Sequence, residues 1–131
     1  MAGRIRIATI IWGDGFGGAE RSLCDLAAAL DQSSFDMRFY YLSGRPGYFS
    51  NIIESLGFKT EFLDWKNGFD VAGRFRLLKK LKEFNPDVVH DHILPHLTRP
   101  FIKIFLRRPI INTEHGRALM RSFGIGAKWR R

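Results

Sequence analysis

The sequence predicts an α/β fold, a doubly wound parallel sheet of five strands in the order 3-2-1-4-5 with helices on both faces. Three observations predict it. Short runs rich in β-branched and aromatic residues alternate with longer runs of helical spacing along the chain. Glycine, proline or asparagine marks many of the joints between them. Hydrophobic residues make up 45% of the 131 positions, enough for one packed core. A βαβαβαβαβ order implies a parallel sheet, since each parallel neighbour needs a crossover, and right-handed crossovers favour the 3-2-1-4-5 winding.

The first strand is expected at Ile5–Ile11, a β-branched run of strand length. A glycine-rich break from Gly13 to Gly18 follows. Ala19–Leu30 then places Leu23, Leu26, Ala27 and Leu30 on one helical face. Met37–Leu42 reads as the second strand. Pro46 suits a helix start, and Tyr48, Phe49, Ile52, Ile53 and Leu56 keep helical spacing up to Gly57 as the stop. Phe58–Leu63 alternates as the third strand. Phe69–Phe84 forms an amphipathic helix with Val71, Phe75, Leu78, Leu81 and Phe84 as its apolar stripe, ended by Asn85-Pro86. Asp87–His90 is the fourth strand. Pro95–Leu106 reads as a helix that Pro100 should break or kink, and Pro109–Thr113 is the fifth strand. Residues 116–131 show no period beyond a basic, aromatic end.

Composition narrows the function classes. The lone cysteine, Cys24, cannot form an internal disulfide and is expected on a buried helix face. No apolar run reaches the roughly 18 residues of a membrane span. The start of the chain shows no signal-peptide pattern, so a cytoplasmic location is expected. The net charge of +8 is uneven: residues 99–131 hold nine Lys/Arg against the single acid Glu114, while the rest of the chain balances. Such a block suits an anionic partner, with a solvated face as the plain alternative.

In a doubly wound sheet, ligands bind beyond the carboxyl ends of the strands where the winding reverses. Here that point lies between strands 1 and 4, with strand 5 next to strand 4. Gly13–Arg21, His90–His96 and Thr113–Arg117 should therefore converge, and they hold all four histidines. Gly13, Gly15 and Gly18 match G-x-G-x-x-G in a strand-to-helix setting, which keeps a dinucleotide site open. The acid expected after strand 2 is absent. Arg45 stands nearby and would suit a 2′-phosphate. His90 and His92 fall on the same side of a strand, and Asp91, His92 and His96 lack the further ligand that a metal site wants. His115, between the fifth strand and Gly116, sits at the right edge to exchange a proton with a hydroxyl.

Taken together, Gly17-Gly18-Ala19-Glu20-Arg21, Leu26-Ala27 and Leu30, Ile53-Glu54-Ser55-Leu56-Gly57-Phe58, Pro86-Asp87-Val88-Val89-His90-Asp91-His92 and Thr113-Glu114-His115-Gly116 resemble the N-terminal, Rossmann-like domain of GT-B glycosyltransferases of family 4. The resemblance spans roughly residues 5–116. It implies a retaining enzyme that moves a sugar from a nucleotide-sugar, a co-substrate rather than a cofactor, to a hydroxyl acceptor such as a glycan or lipid-linked precursor. It implies that Gly17 and Gly18 face the donor phosphates and sugar, that His115 is the catalytic contact, and that Glu20, Arg21 and His92 lie on the acceptor side. From the residues themselves no metal is expected, and no nucleic acid either, since neither an aromatic-basic RNA motif nor a recognition-helix signature is evident. Residues 1–131 would then be an incomplete N-terminal domain. The donor domain's Glu-x7-Glu signature is absent from them, so isolated activity is not expected. Members often meet lipid-linked acceptors at a cytoplasmic membrane face, which makes residues 99–131 a candidate contact with an anionic membrane. An NAD(P)-binding oxidoreductase domain and a non-catalytic basic binding module are the alternatives.

Overall fold

The computed structural model describes residues 3–13, 18–67, 70–92 and 98–113. Five strands form one sheet in the order β3-β2-β1-β4-β5, every neighbouring pair parallel. They are β1 (Ile5–Ile11), β2 (Phe35–Tyr41), β3 (Lys59–Phe62), β4 (Val88–Asp91) and β5 (Ile110–Asn112). Between them run α1 (Gly18–Ala29), α2 (Tyr48–Ser55), α3 (Val71–Phe84) and α4 (Thr98–Leu106). Fold class and strand order are those the sequence predicts.

Strand side chains alternate between two faces, and both faces are buried here. Ala8, Ile10, Tyr40, Leu42 and Val89 pack with Leu77, Leu81 and Phe84 of α3 and Ile102 of α4. Ile11, Met37, Phe39 and Tyr41 pack with Leu23, Cys24 and Ala27 of α1 and Ile53 of α2. Each face therefore has its own pair of helices. The chain winds outward from β1 to β3, and α3 then carries it back across the sheet to β4. That return places β4 directly beside β1, with Ile7 to Ile10 paired to Val88 to Asp91.

Local signals set the joints. Gly57, with φ of 97°, follows α2 and lets the backbone turn left-handed without a Cβ clash. Asn85 does the same after α3 at φ 53°, its N–H donating to Leu81 O at 2.8 Å. Ser50 Oγ accepts from Gly47 N–H at 2.8 Å and ties the start of α2. Asp70 caps α3, accepting from Gly73 N–H at 2.8 Å and from Lys66 N–H at 3.0 Å.

Three details differ from the sequence reading. Leu26 is exposed on α1, whereas Cys24 is buried beside Leu23 and Ala27 as expected. Val71 and Phe75 are exposed on α3, whose inward stripe is Gly73, Leu77, Leu78, Leu81 and Phe84. Pro100 neither breaks nor ends α4. It lies in the first turn, where an N–H would have no intrahelical partner to lose.

Gly73 explains the rotation of α3. A Cβ there would stand 2.8 Å from Trp65 Cδ1 and 2.9 Å from its Cγ and Nε1. Trp65 is itself buried, so the ring has little room to give way. Gly73→Ala should therefore destabilise the fold by about 1–2 kcal/mol, overpacking outweighing the better helix propensity. A denaturant midpoint equal to or above wild type would show that the ring moves freely.

Asp70 makes α3 sensitive to acid. Backbone donation from Lys66, then from Gly73, holds its carboxyl below the ordinary value near 3.8. Its folded pKa is depressed, so its stabilisation is present above the unfolded pKa and lost as pH falls through the folded one. Asp70→Ala should lower the melting temperature by several degrees at neutral pH, the difference narrowing as pH falls below the ordinary carboxyl value of 3.8. A difference that stays constant into acid would assign the cap to shape rather than charge.

Candidate active-site edge

The carboxyl ends of β1, β4 and β5 meet as the topology requires. His92 N–H donates to Ile10 O at 3.1 Å, and Thr113 N–H donates to Asp91 O at 2.9 Å. The end of β4 is thus held between the exits of β1 and β5. On the other side of β1, Ser43 N–H donates to Trp12 O at 2.7 Å, which holds the start of the β1–α1 connection beside the end of β2.

Alternation along β4 sorts its side chains. Val89 faces the α3–α4 layer, so His90 and His92 face the α1–α2 layer, with Thr9 opposite His90 in register. The two imidazoles lie 4.1 Å apart between centroids, as the strand spacing suggested. His90 Nε2 is 2.7 Å from Thr113 Oγ1, a bond whose direction depends on the tautomer. His92 is buried, 5% exposed, at the point where β4 ends. An imidazole so placed can donate to or accept from a hydroxyl entering the crevice.

Asp91 faces the other layer. It is fully buried, and Arg99 of α4 clamps one carboxylate oxygen, Oδ2, with Nε at 2.9 Å and a terminal nitrogen at 2.5 Å. Next to Arg99, the buried Thr98 hydroxyl accepts from Arg74 Nε at 3.2 Å. The Arg74 guanidinium also lies 5.8 Å from the Trp65 ring centre, and Trp12 meets Trp65 edge-on at 6.3 Å. A chain of contacts thus links the β1 exit to the ends of β4 and α4.

Of the residues the sequence singled out, His92 lies at this edge. Gly18 opens α1, and Glu20 and Arg21 occupy its first turn, Glu20 half-buried and Arg21 exposed. Gly17, His96 and His115 fall outside the described residues. Thr113, two positions before His115, leaves β5 at the same edge. Arg45 is exposed after β2. Among the described residues no three His, Cys, Asp or Glu gather as a metal site would require. Sequence reasoning missed Arg99, Thr98 and Arg74. Arg99 was counted only as part of the basic block; its place eight residues after Asp91, on the next helix, was the available signal.

A doubly wound domain with its polar groups at the β1/β4 switch point is a ligand-binding architecture shared by many chemistries. Two solved structures illustrate this. The chain superposes on Anabaena Alr3699/HepE, solved with UDP and glucose, at a TM-score of 0.61 and 14% identity, covering 83% of this chain and 29% of that one. It superposes on phosphoribosylglycinamide formyltransferase from Brucella melitensis at a TM-score of 0.59 and 21% identity, covering 83% and 56%. At these identities the likeness is one of fold. The sequence itself decides the class: residues 16–131 match the model of Glycosyltransferase Family 4, and the chain belongs to that family. It is also 36% identical over 78 residues to the capsular polysaccharide biosynthesis glycosyltransferase CapH of Staphylococcus aureus. That match takes in 60% of this chain and 21% of the relative's length.

The Asp91–Arg99 pair yields a direct test. Removing Arg99 would leave a buried carboxylate without its cationic partner. Arg99→Ala should cost about 2 kcal/mol, less than a fully buried pair would, since the Arg99 side chain is 46% exposed. The double variant Arg99→Ala/Asp91→Asn should recover part of that loss. Urea melts showing Arg99→Ala unchanged would reduce the pair to a surface contact.

Proposed function

We propose that this chain is the N-terminal, acceptor-side half of a retaining GT-B glycosyltransferase. It would act with a donor-binding half to move a sugar from a nucleotide-sugar to a hydroxyl acceptor. The observation that carries the reading is the family match over residues 16–131, joined to a β1/β4 switch point at which His92 is buried. The capsular polysaccharide relative supports a glycan or lipid-linked glycan precursor as acceptor. The NAD(P) alternative rests on the glycine spacing and on Arg45, without the acid that such a site wants after strand 2.

In the reaction, the acceptor oxygen bonds to the anomeric carbon while the bond from that carbon to the diphosphate breaks. The acceptor hydroxyl gives up its proton, and the nucleoside diphosphate leaves with the electron pair. Gly17 and Gly18 are assigned to the donor phosphates and sugar. A loop without side chains permits close backbone approach, and the start of α1 favours negative charge. His115 is assigned to the reacting sugar, and His92, Glu20 and Arg21 to the acceptor. The donor half would supply the cationic groups that stabilise the leaving diphosphate. A cytoplasmic setting belongs to the same proposal.

Two measurements test it. In an enzyme carrying both halves, His115→Ala should lower kcat on the order of 10²-fold while the melting temperature stays near wild type. Full activity in that variant would remove His115 from the site. The 131-residue chain alone should turn over no nucleotide-sugar. Sugar transfer by the purified chain, absent from a mock purification, would refute the division of labour between two halves.

A further inference from the structure

The sugar-transfer reading leaves the α3–α4 side of the crevice edge without a role, yet that side carries its own set of groups. Along β1, Ile10 packs toward α3 and α4 and Ile11 toward α1 and α2, so Trp12 returns to the α3–α4 side. Its contact with Trp65, which belongs to that layer, agrees with this. The two rings meet edge-on, 6.3 Å apart between centroids and 84° between planes. The Trp12 carbonyl accepts from Ser43 N–H at 2.7 Å. Trp12 is thus anchored through both its backbone and its ring, and it is still 37% exposed at the exit of β1.

The contacts run on from Trp65. The Arg74 guanidinium lies 5.8 Å from the Trp65 ring centre, and its Nε donates to Thr98 Oγ1 at 3.2 Å. Arg99, next in the chain, donates to Asp91 Oδ2 through Nε at 2.9 Å. Asp91 pairs in register with Ile10, two residues before Trp12, so the series returns to its start. Within it two guanidinium groups stand against one carboxylate, which leaves a positive excess. Asp91 is fully buried whereas the Arg99 side chain is 46% exposed, so the cation rather than the carboxylate meets solvent.

We propose, resting on the acceptor-side reading above, that this side of the edge is a subsite for an anionic sugar of the acceptor. The apolar C–H face of a pyranose packs on the Trp12 ring, and the Arg99 guanidinium takes the anionic group, a carboxylate or a phosphate. Aromatic surface beside a few fixed polar groups is the composition of many small-molecule sites. Trp65, closed in by Gly73, gives Trp12 a rigid backing, so little side-chain freedom is lost on binding. A neutral sugar would leave the Arg99 charge unused, and an anion without a ring would leave Trp12 uncovered. An anionic sugar satisfies both. It lies one unit from the hydroxyl assigned to His92, because Asp91 and His92 are consecutive and turn to opposite faces of the sheet.

The indole N–H resonances of the 131-residue protein read this directly. The chain has three tryptophans, Trp12, Trp65 and Trp129, so each signal can be assigned by substitution to Phe. The protein is titrated with methyl glucoside, methyl glucuronide and glucose 1-phosphate. Both anionic sugars should shift the Trp12 signal and bind at least about tenfold more tightly than the neutral glucoside, and their affinity should fall as salt rises. The tighter of the two identifies the charge as carboxylate or phosphate. Trp12→Ala should weaken both about tenfold, and Trp12→Phe less, while circular dichroism stays native because Trp12 is already part-exposed. Asp91→Asn/Arg99→Gln removes both charges together and so leaves no carboxylate buried alone. It should bring the anionic sugars down to the affinity of the neutral one.

Equal affinity for the neutral and anionic sugars overturns the subsite, as does the absence of any shift with all of them. Binding that leaves the Trp12 signal in place and survives Trp12→Ala also overturns it, and places the acceptor elsewhere on the edge with the acceptor-side reading intact. Inorganic phosphate bound as tightly as glucose 1-phosphate would reduce the site to one for anions and remove the sugar from it. Sugar transfer itself is decided separately, by His115→Ala in the enzyme carrying both halves.

Discussion

The parallel pairing of β4 with β1 is the constraint on which the rest of this molecule depends. It closes the sheet into one layer after the chain has wound out to β3, and it fixes which connections share an edge. The register sets Ile10 opposite Asp91, so the His92 amide falls on the Ile10 carbonyl and the segment after β4 starts beside the exit of β1. A slip of one residue would turn His90 and His92 toward α3 and α4 and send Asp91 into the α1–α2 layer. The buried polar groups would then lose their partners together. Register is held by apolar side chains on both faces, Ala8, Ile10 and Val89 on one and Ile11 on the other. The site's geometry is thus inherited from the core.

The edge also shows how a fold places charge where burial alone would oppose it. Asp91 is fully buried at the end of a central strand, a costly position for a carboxylate. Arg99 offsets that cost from the first turn of α4 and remains half exposed itself, so only one of the two charges is taken fully from water. The clamp joins the two ends of the segment between β4 and α4. Residues 92 and 98 border that segment, and both are buried.

Much of this was legible in the sequence, for identifiable reasons. Strand identity and order followed from the alternation of short β-branched runs with helical spacing, and the His90–His92 juxtaposition followed from the period of two along β4. Asn85 and Gly57 announced the ends of α3 and α2 through their tolerance of positive φ. Arg99 could not be read as Asp91's partner, because that contact depends on how α4 sits against the sheet rather than on local pattern. Pro100 misled for a related reason. A proline breaks a helix interior but suits a first turn, and Pro100 is the third residue of α4. Leu26 was misassigned because an apolar residue one position off the stripe leaves the hydrophobic spacing almost unchanged.

The rotation of α3 joins the fold to its outer surface. Counting apolar residues favoured the line Val71, Phe75, Leu78, Leu81 and Phe84, since glycine carries no hydrophobic signal. The helix instead turns Gly73 inward, roughly a quarter turn from that line, because Trp65 fills the space where any side chain would stand. Leu77 follows Gly73 into the core one turn later. Val71 and Phe75 are thereby forced outward, where Phe75 meets Phe101 of α4. The same contact thus packs Trp65 beneath the crevice edge and creates the exposed aromatic strip on the far side of the helix. A large residue at 73 would have to displace either the Trp65 ring or the helix. Displacing the helix would shift Phe75 relative to Phe101 and Arg74 relative to Thr98. The crevice edge and the outer face are therefore mechanically one unit, coupled through a position whose contribution is the absence of a side chain.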